Sequence, residues 1–510
     1  VDWLDQVVEN VTSAQPEGKL IVSSGHSPSG TYHIGTLREI MTANAIAWAL
    51  RRAGRDAEHW DVVDDYDALR KVPVGIGVPE SWAKYVGVPL RLVPDPFECH
   101  PSYGAHYLEQ LNSGLLQLGI TPDRQLSGYD NYQSGALIDQ SIQVLDHLDE
   151  VRSILVEVGK RELEDNWSPV QILDDENNLR SRKFVSWNKE THTILWRDKQ
   201  GQTGELGLDS GKVTLGWRLD WPARWAKWGI SVEPFGRDHA TKGGSYDTGK
   251  VLVERIFGGH APYPVPYEFI NPAGETKKMS KSAGNVLTPA DALEVMPPEI
   301  LRYFVINSRP SRTLTFDSGL GLYTLIDQYS KAKSEPATTA MGYAHDASNN
   351  EMIANVPFSH LVAVYQAAMF DESEVKLILE RTGYDEAANA QWPVVQRELT
   401  FVKNWLEKYA PENVKFAVAD TLPIVELSED QMAFLKKLAL TIETEKDLNG
   451  QGMHDAIYAA SQVANLKPGQ AFEALYKVIL GQISGPKAGW FLASLDQAWL
   501  LHRLREASER

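Results

Sequence analysis

His33 stands in a glycine-punctuated run, GHSPSGTYHIGT (residues 25–36), directly ahead of a segment with helical periodicity. A helix N-terminus offers unpaired amide N–H groups and the positive end of its dipole, which together favour a phosphate. Gly35 lets the backbone approach whatever covers the first helical turn, and His33 is placed to reach the same anion. Pro28, Ser29 and Gly30 punctuate the loop. Neither the dinucleotide fingerprint nor the P-loop pattern occurs, so the phosphate chemistry uses another kind of loop. Asp64, Asp65 and Asp67 follow a second strand-like run and, in a doubly wound sheet, would border the same crevice; taken alone they read as a solvated acidic turn. Asp95, Cys99, His100 and His106 crowd into twelve positions, and all four residue types ligate zinc. Their spacing is not a Cys-x2-Cys pattern, and the competing reading is a small buried thiol beside a helix start.

The elements that must position these groups are legible from periodicity. Leu20, Ile21 and Val22 form a short apolar strand, and Leu37, Ile40, Ala43, Ala47 and Leu50 recur at helical spacing. Residues 230–235 predict a strand running into Gly236-Arg237-Asp238-His239, where the glycine admits adenine or ribose and Asp238 accepts hydrogen bonds from ribose hydroxyls. A helix beginning near Ser245 closes the far side. Residues 263–271 read as a strand whose prolines confine it to an edge or interrupt it. Residues 170–215 alternate polar and apolar between turn signals, predicting a small antiparallel insertion; they contain no cysteine, which excludes a thiolate zinc site there. Trp217, Trp221, Trp225 and Trp228 recur as a packed helix face. Past Pro289 the pattern is almost wholly helical, with a capping box in Ser428 and Gln431. Arg503 and Arg505 near the end read either as phosphate contacts or as solvated helix faces.

With 510 residues the chain exceeds the roughly 250–300 at which a single core stops growing, so it holds two or more domains. Its 43% apolar and 23% charged content is that of a soluble globular protein. No run approaches the roughly 18 apolar residues of a membrane span, and the single cysteine, Cys99, excludes an intramolecular disulfide and fits a reducing compartment. The expected location is cytoplasmic. A net charge of −18 disfavours nonspecific DNA binding, whereas a local basic track suffices for one structured RNA.

The run PSGTYHIG, followed downstream by KKMSKSAGN (residues 277–285), resembles the paired signatures of class I aminoacyl-tRNA synthetases. DDYDALRKVP, LDWPARW, GRDHATKGGSYDTG and the C-terminal SGPKAGWFLASLD narrow the resemblance to class I lysyl-tRNA synthetases over nearly the whole chain. One departure is Thr36, where the commonest form of the first signature ends in histidine. The resemblance implies an α/β, Rossmann-like parallel-sheet catalytic domain over residues 1–270 with an insertion at about 90–215. A connector with the KMSKS loop would follow over 271–335, and an all-α anticodon-binding domain over 336–510.

The same resemblance implies an ATP-dependent lysine–tRNA ligase, with ATP, L-lysine, Mg2+ and tRNA(Lys) as partners, acting as a monomer. His33 would face the α-phosphate and Lys278 and Lys281 the pyrophosphate. ATP would also meet Pro28, Ser29, Gly30, Gly35, Gly236, Asp238, Met279, Ser280 and Ser282. Gly25 and Ser27 would lie near the amino group of lysine, and Trp217, His239 and Tyr267 around its side chain. Either Asp64 or Asp65 would pair the ammonium. The Asp95, Cys99, His100 and His106 cluster also resembles one in archaeal-type lysyl enzymes, implying Zn2+. The competing readings are another class I synthetase of glutamyl type, a tRNA-independent nucleotidyltransferase, and a noncatalytic RNA-binding paralogue.

Overall fold

The computed structural model describes residues 2–160, 162–164, 167–273, 287–333, 338–346, 353–445 and 448–509. Lys278, Met279, Ser280, Lys281 and Ser282 therefore lie outside the described residues. The main sheet has five parallel strands, β1 (Leu20–His26), β2 (Ala57–Val63), β3 (Arg124–Ser127), β4 (Val232–Gly236) and β5 (Tyr263–Tyr267), in the spatial order β5-β4-β1-β2-β3. β1 and β2 are buried at every position except the half-buried Gly25 and Glu58, as expected of parallel strands covered on both faces. Pro264 and Pro266 sit on the edge strand, where a missing N–H costs no ladder bond. The predicted strand over 263–271 is broken in two. Glu268 N–H donates to Pro310 O at 2.8 Å, and Ile270–Pro272 pairs instead with Leu314–Phe316. Because β2 flanks β1 on one side and β4 on the other, the strand order reverses at β1, and the crevice at the carboxyl ends of β1 and β4 is the switch point where such sheets bind ligands.

The same part of the chain carries the helices α1 (Trp3–Ala14), α2 (Leu37–Arg52), α3 (Tyr103–Gln117), α4 (Trp217–Trp228) and α5 (Ser245–Arg255), of which α2 and α4 line the crevice. α2 buries Leu37, Ile40, Met41, Ile46 and Leu50. It also buries Arg38, whose guanidinium donates to the carbonyl oxygens of Arg309 (2.9 Å), Pro310 (3.1 Å), Arg312 (3.2 Å) and Val305. The insertion consists of a two-stranded antiparallel pair, Val170–Ile172 with Val213–Leu215, and an antiparallel meander of Lys183–Asn188, Thr193–Arg197 and Thr203–Gly207. Without thiolates, the meander is held by buried Ile194 and Trp196, with the Arg182 guanidinium 4.1 Å from the Trp196 ring centre.

Beneath the first signature lies a polar network whose members Ser24, His26, His59 and Asp61 are buried, with the exposed Gln125 at its margin. Asp61 on β2 accepts hydrogen bonds from Ser24 Oγ (2.7 Å) and Gln125 Nε2 (3.1 Å) and meets His26 Nε2 at 2.9 Å; His26 Nδ1 meets the Tyr32 hydroxyl at 2.6 Å. His59 Nε2 lies 2.8 Å from Ser24 Oγ. Burial alone would raise the Asp61 carboxyl, yet the charge and hydrogen bond of His26, with His59 and Ser24, hold it down at about 2.

The chain divides into two compact units, Val1–Leu293 with Leu301–Phe316 and Ala337–Ala347, and Glu294–Ile300 with Asp317–Pro336 and Ser348–Arg510. The described elements of the second unit are helical. Its core includes Phe434, Leu435, Leu438, Ile442, Leu475, Ile479, Phe491 and Leu504. The capping box is present: Gln431 N–H donates to Ser428 Oγ (3.2 Å) and Ser428 N–H to Gln431 Oε1 (3.0 Å). Arg503 is neither a phosphate contact nor solvated. It is buried and donates to Val478 O (3.0 Å) and Ala419 O (2.8 Å), because the last turn of the helix Pro468–Leu480 and the non-helical segment at Ala419 leave carbonyls without helical partners. Arg505 pairs with Glu443.

Asp61→Ala strands His26 and Ser24 inside the sheet and is expected to lower the unfolding free energy by about 3–5 kcal/mol in a denaturant titration. The Asp61 contribution is full above the unfolded carboxyl pKa of roughly 4 and is lost as pH falls toward about 2. The variant should therefore show a shallower loss of stability in acid than the wild type.

Candidate active site

The first signature leaves β1 at Gly25 and His26 and turns through Pro28, Ser29 and Gly30, into a single 3-10 turn, Ile34–Thr36, before α2. The loop is braced from α3, where the Tyr103 hydroxyl donates to Ser29 O at 3.0 Å. Gly104 packs so closely that an added Cβ would lie 3.0 Å from Leu90 O and 3.4 Å from Pro28 Cγ. Gly35 has its own reason. What covers it is the His33 imidazole, and a Cβ there would stand 2.6 Å from His33 Nδ1. The glycine thus lets the histidine ring fold over the turn that opens α2. Gly236 ends β4, with an added Cβ 3.4 Å from the Phe269 ring, and Asp238 is exposed in the 3-10 turn Arg237–Ala240 that follows.

Beside the signature a cavity of about 400 Å³ opens between the ends of β1, β2 and β4, α4 and the insertion. Gly25, Asp64, Trp217 and His239, four of the residues that the resemblance assigned to the lysine pocket, line it. Ser27 and Asp65 do not. Asp65 turns to the other side of the strand end, where both carboxylate oxygens accept from Ser127 Oγ (2.9 and 2.7 Å) and one from Tyr129 N–H (2.8 Å). Tyr267 reaches the cavity through Glu39, to which its hydroxyl donates at 2.6 Å; the other Glu39 oxygen accepts from Gly25 N–H at 2.7 Å.

Sequence reasoning missed most of the charges. Glu39, Asp220 and Glu233 line the cavity together with Asp64 and Asp67, against the guanidiniums of Arg224 and Arg70. Glu233 accepts from Trp221 Nε1 (2.8 Å) and from Trp225 Nε1. Arg224 donates to Asp64 at 2.9 Å and pairs with Asp220 at 3.0 Å, and the Tyr132 hydroxyl donates to Asp220 at 2.6 Å. The signals existed: a glutamate inside an apolar helix pattern (Glu39), one inside a buried strand pattern (Glu233), and an i,i+4 acid–base pair in LDWPARW. The tryptophan stripe is only partly packing, since Trp217, Trp221 and Trp225 all line the cavity.

Burial pushes these carboxyls up, Glu39 to about 8 against the pull of its Tyr267 and Gly25 hydrogen bonds, and Glu233 to about 7. Asp67 rises to about 7 through burial and the neighbouring Asp64 charge, and Asp220 is raised mainly by burial. Burial works against the Arg224 charge, but Asp220 and Asp64 more than reverse this and raise its pKa. The cavity is thus short of positive charge, with aromatic walls beside its carboxyls. Such a lining is chemically suited to a cationic group on an aliphatic stem.

On the far side of α3's N-terminus, Asp95, Cys99, His100 and His106 converge so that their four donor atoms lie within 4.8 Å of one another. Cys99 Sγ stands 3.1 Å from His100 Nδ1, 3.2 Å from His106 Nδ1 and 3.3 Å from Asp95 Oδ2, and His106 Nδ1 is 3.5 Å from Asp95 Oδ1. Ligands at about 2.0–2.3 Å around a tetrahedral zinc are separated by roughly 3.3–3.8 Å, so the donor set fits that ion in kind and spacing. Backbone N–H groups of Phe97, Cys99 and His100 fix the Asp95 carboxylate. Gln110 lies 3.0 Å from His106 Nε2, so with its amide oxygen turned to that N–H it leaves the Nδ1 lone pair facing the cluster.

Residues 1–359 match the family described as tRNA synthetases class I (K), and residues 408–508 match an anticodon binding domain. The chain therefore belongs to the class I tRNA synthetases of that K family. It is 36% identical to lysine–tRNA ligase 1 of Methanosarcina acetivorans over 534 aligned residues, covering 99% of this chain and 98% of the relative. It is 37% identical to the lysine–tRNA ligase of Archaeoglobus fulgidus over 511 aligned residues, covering 99% of each. Among solved structures, a glutamate tRNA ligase from Elizabethkingia meningosepticum superposes over 96% of this chain and 99% of its own, with a TM-score of 0.40 and 13% identity. Among the described residues no helix is long and apolar enough to cross a membrane.

Raised carboxyl pKa values mean that the folded, ligand-free protein binds protons the unfolded chain has released. Its stability is expected to decline as pH rises from about 5 to 8. Glu39→Gln should flatten the upper part of that decline in thermal denaturation series.

Proposed function

We infer that this protein is a lysine–tRNA ligase that joins L-lysine to ATP as lysyl-adenylate with release of pyrophosphate, and then transfers lysine to tRNA(Lys). The observation that carries the reading is the cavity whose lining holds Glu39, Asp64, Asp67, Asp220 and Glu233 against two guanidiniums. A glutamyl enzyme would have to bring a further carboxylate into that field, which favours lysine over glutamate. A tRNA-independent transferase has no use for the segment that matches an anticodon binding domain. A noncatalytic paralogue has no need to keep His33, Lys278 and Lys281.

The nucleophile is the lysine carboxylate, ionised at neutral pH, so activation needs no general base. The chemical demand is stabilisation of charge on the transferring phosphoryl group and the leaving pyrophosphate. His33, folded over Gly35 at the opening of α2, serves the α-phosphate, with Pro28, Ser29 and Gly30 shaping its loop. Gly236 and Asp238 receive the adenosine. Lys278 and Lys281, with Met279, Ser280 and Ser282, belong to the loop assigned to the pyrophosphate. Mg2+ accompanies ATP and neutralises part of the phosphate charge. Gly25 and Tyr267 set Glu39 toward an ammonium of the substrate, Asp64 remains the candidate partner at the strand end, and Trp217 and His239 flank the aliphatic stem. Zn2+ held by Asp95, Cys99, His100 and His106 would fix the segment ahead of α3 and thereby the brace under Ser29.

Labelled lysine, and not glutamate, should appear on tRNA(Lys) in an aminoacylation assay, with failure of lysine charging refuting the assignment. Asp64→Ala and Glu39→Gln should each raise the KM for lysine far more than that for ATP. Norleucine, which lacks the ammonium, should lose on the order of 10⁴ in kcat/KM. Because Glu39, Asp67 and Glu233 must release protons to pair a cation, the KM for lysine should fall as pH rises from 6 to 8.

Protein purified without chelator should carry about one zinc per chain by elemental analysis. Cys99→Ser should reduce that content and lower the melting temperature, and a metal-free wild type would refute the assignment.

A further inference from the structure

The side of the strand end to which Asp65 turns is also hollow. A cavity of about 250 Å³ opens there, bounded by Pro28 of the first signature, the end of β2 and one face of α3. The catalytic reading leaves it unused. Backbone bonds fix its outline: Arg91 N–H donates to Asp65 O at 2.9 Å and Gly104 N–H to Leu90 O at 3.0 Å, and the close approach that Gly104 permits brings α3 against Pro28.

Pro28, Pro101 and Leu108 give the cavity apolar surface, and Asp65 and the exposed Glu109 give it carboxylate acceptors. Among the described residues Asp65 Oδ2 accepts only from the Ser127 hydroxyl, at 2.7 Å, which leaves it acceptor capacity. Donors stand beside these acids. The exposed Arg91 guanidinium is 3.9 Å from Asp65 and 3.6 Å from Asp130, beyond hydrogen-bond length, so neither holds it. His100 turns Nδ1 to the Cys99 thiol at 3.1 Å, which leaves its other ring nitrogen outside the four-ligand cluster. The two acids would repel a simple anion, and Arg91 a simple cation. A flat neutral ring whose edge carries both donors and acceptors satisfies the whole set, and a nucleobase is such a ring. The adenosine of ATP is assigned to Gly236 and Asp238 at the end of β4, with β1 between that strand and β2. The base-bearing substrate that remains is tRNA. Its 3′ strand ends in the unpaired bases C-C-A, and the terminal ribose must reach the adenylate beside the first signature, which brings the preceding cytidine next to Pro28. Cytosine presents its N4 amine to a carboxylate, and its N3 and O2 acceptors suit a guanidinium.

We propose that this cavity holds the cytosine next to the terminal adenosine of tRNA, with its ring on Pro28, its amine on the carboxylates of Glu109 and Asp65, and its ring nitrogen and carbonyl oxygen on Arg91. Two adjacent aspartates then serve two substrates, Asp64 the lysine and Asp65 the tRNA. The proposal rests on the reading of the chain as a tRNA ligase.

The test uses the full chain in aminoacylation assays with tRNA(Lys) transcripts whose penultimate cytidine is kept, changed to uridine or made abasic. With wild-type protein either change should raise the KM for tRNA by about 10- to 100-fold, the discrimination expected of one well-matched base edge, and should leave the KM for lysine in place. Uridine offers a carbonyl oxygen where the carboxylates need an amine. Arg91→Met should raise the KM for the unmodified transcript by a similar factor and remove most of the abasic penalty. Glu109→Gln, whose amide can donate to the uracil oxygen, should narrow the gap between the cytidine and uridine transcripts. Both residues are exposed, and the melting temperatures of the two variants check that the fold is kept. If wild-type protein charges all three transcripts with one KM, or if the abasic penalty persists unchanged in Arg91→Met, the cavity is not the cytosine site. A rise in the KM for ATP in place of that for tRNA would overturn the proposal equally, by giving the cavity to the adenine of ATP. In each of these cases charging of the unmodified transcript with lysine still upholds the ligase reading. A wild type that charges no transcript would overturn that reading, and this proposal with it.

Discussion

The carboxylate of Asp61, wholly buried on β2, orients the groups around it and through them the loop of the first signature. A parallel sheet covered on both faces offers no water to its polar side chains, so each must find a protein partner or cost several kcal/mol. Ser24, His26 and Gln125 all turn to the two Asp61 oxygens, and His59 joins through Ser24. His26 then holds the Tyr32 hydroxyl, one residue before His33. The position of the His33 loop is therefore set from beneath, by hydrogen bonds within the sheet. From above, the Gly35 turn and the Tyr103 contact to Ser29 complete its frame.

The cavity at the strand ends carries the opposite kind of constraint. Five carboxyls against two guanidiniums repel one another in a low-dielectric site, and the ligand-free protein relieves this by holding protons on Glu39, Asp67 and Glu233 near neutrality. An ammonium can take the place of those protons, and a neutral or anionic side chain cannot. In the proposed reading, specificity for a cation comes from these proton-holding carboxyls, which a rigid surround keeps in place. The Trp221 and Trp225 N–H groups on α4 fix Glu233. Tyr132 bridges Asp220 and the backbone N–H of Leu215, tying the insertion to the cavity wall. Aromatic residues with one polar atom suit this task, because the same side chain supplies wall area and a hydrogen bond.

By itself the sequence determined what depends on neighbours along the chain. The strand, glycine turn and helix over residues 20–52 follow from apolar spacing and turn chemistry, as do the thiol-free antiparallel insertion, the proline-bearing edge strand and the Ser428–Gln431 cap. The paired signatures were equally legible, and so was the crowding of four zinc-type ligands into twelve positions. Tertiary structure alone decided where polar side chains point and what they meet. Asp64 and Asp65 are adjacent and chemically alike, but β2 ends at Val63 and the chain turns there, Asp65 N–H donating to Val63 O at 2.9 Å, so one faces the cavity and the other accepts from Ser127 and Tyr129. Glu39 and Glu233 sit in segments whose periodicity marks them as buried, while their partners Gly25, Tyr267, Trp221 and Trp225 include residues up to 228 positions away. Arg503 looked solvent-facing and is buried on carbonyl groups from two other segments. Periodicity reports which face of an element is covered. The identity of what covers it depends on strand order and helix placement, which no local pattern encodes.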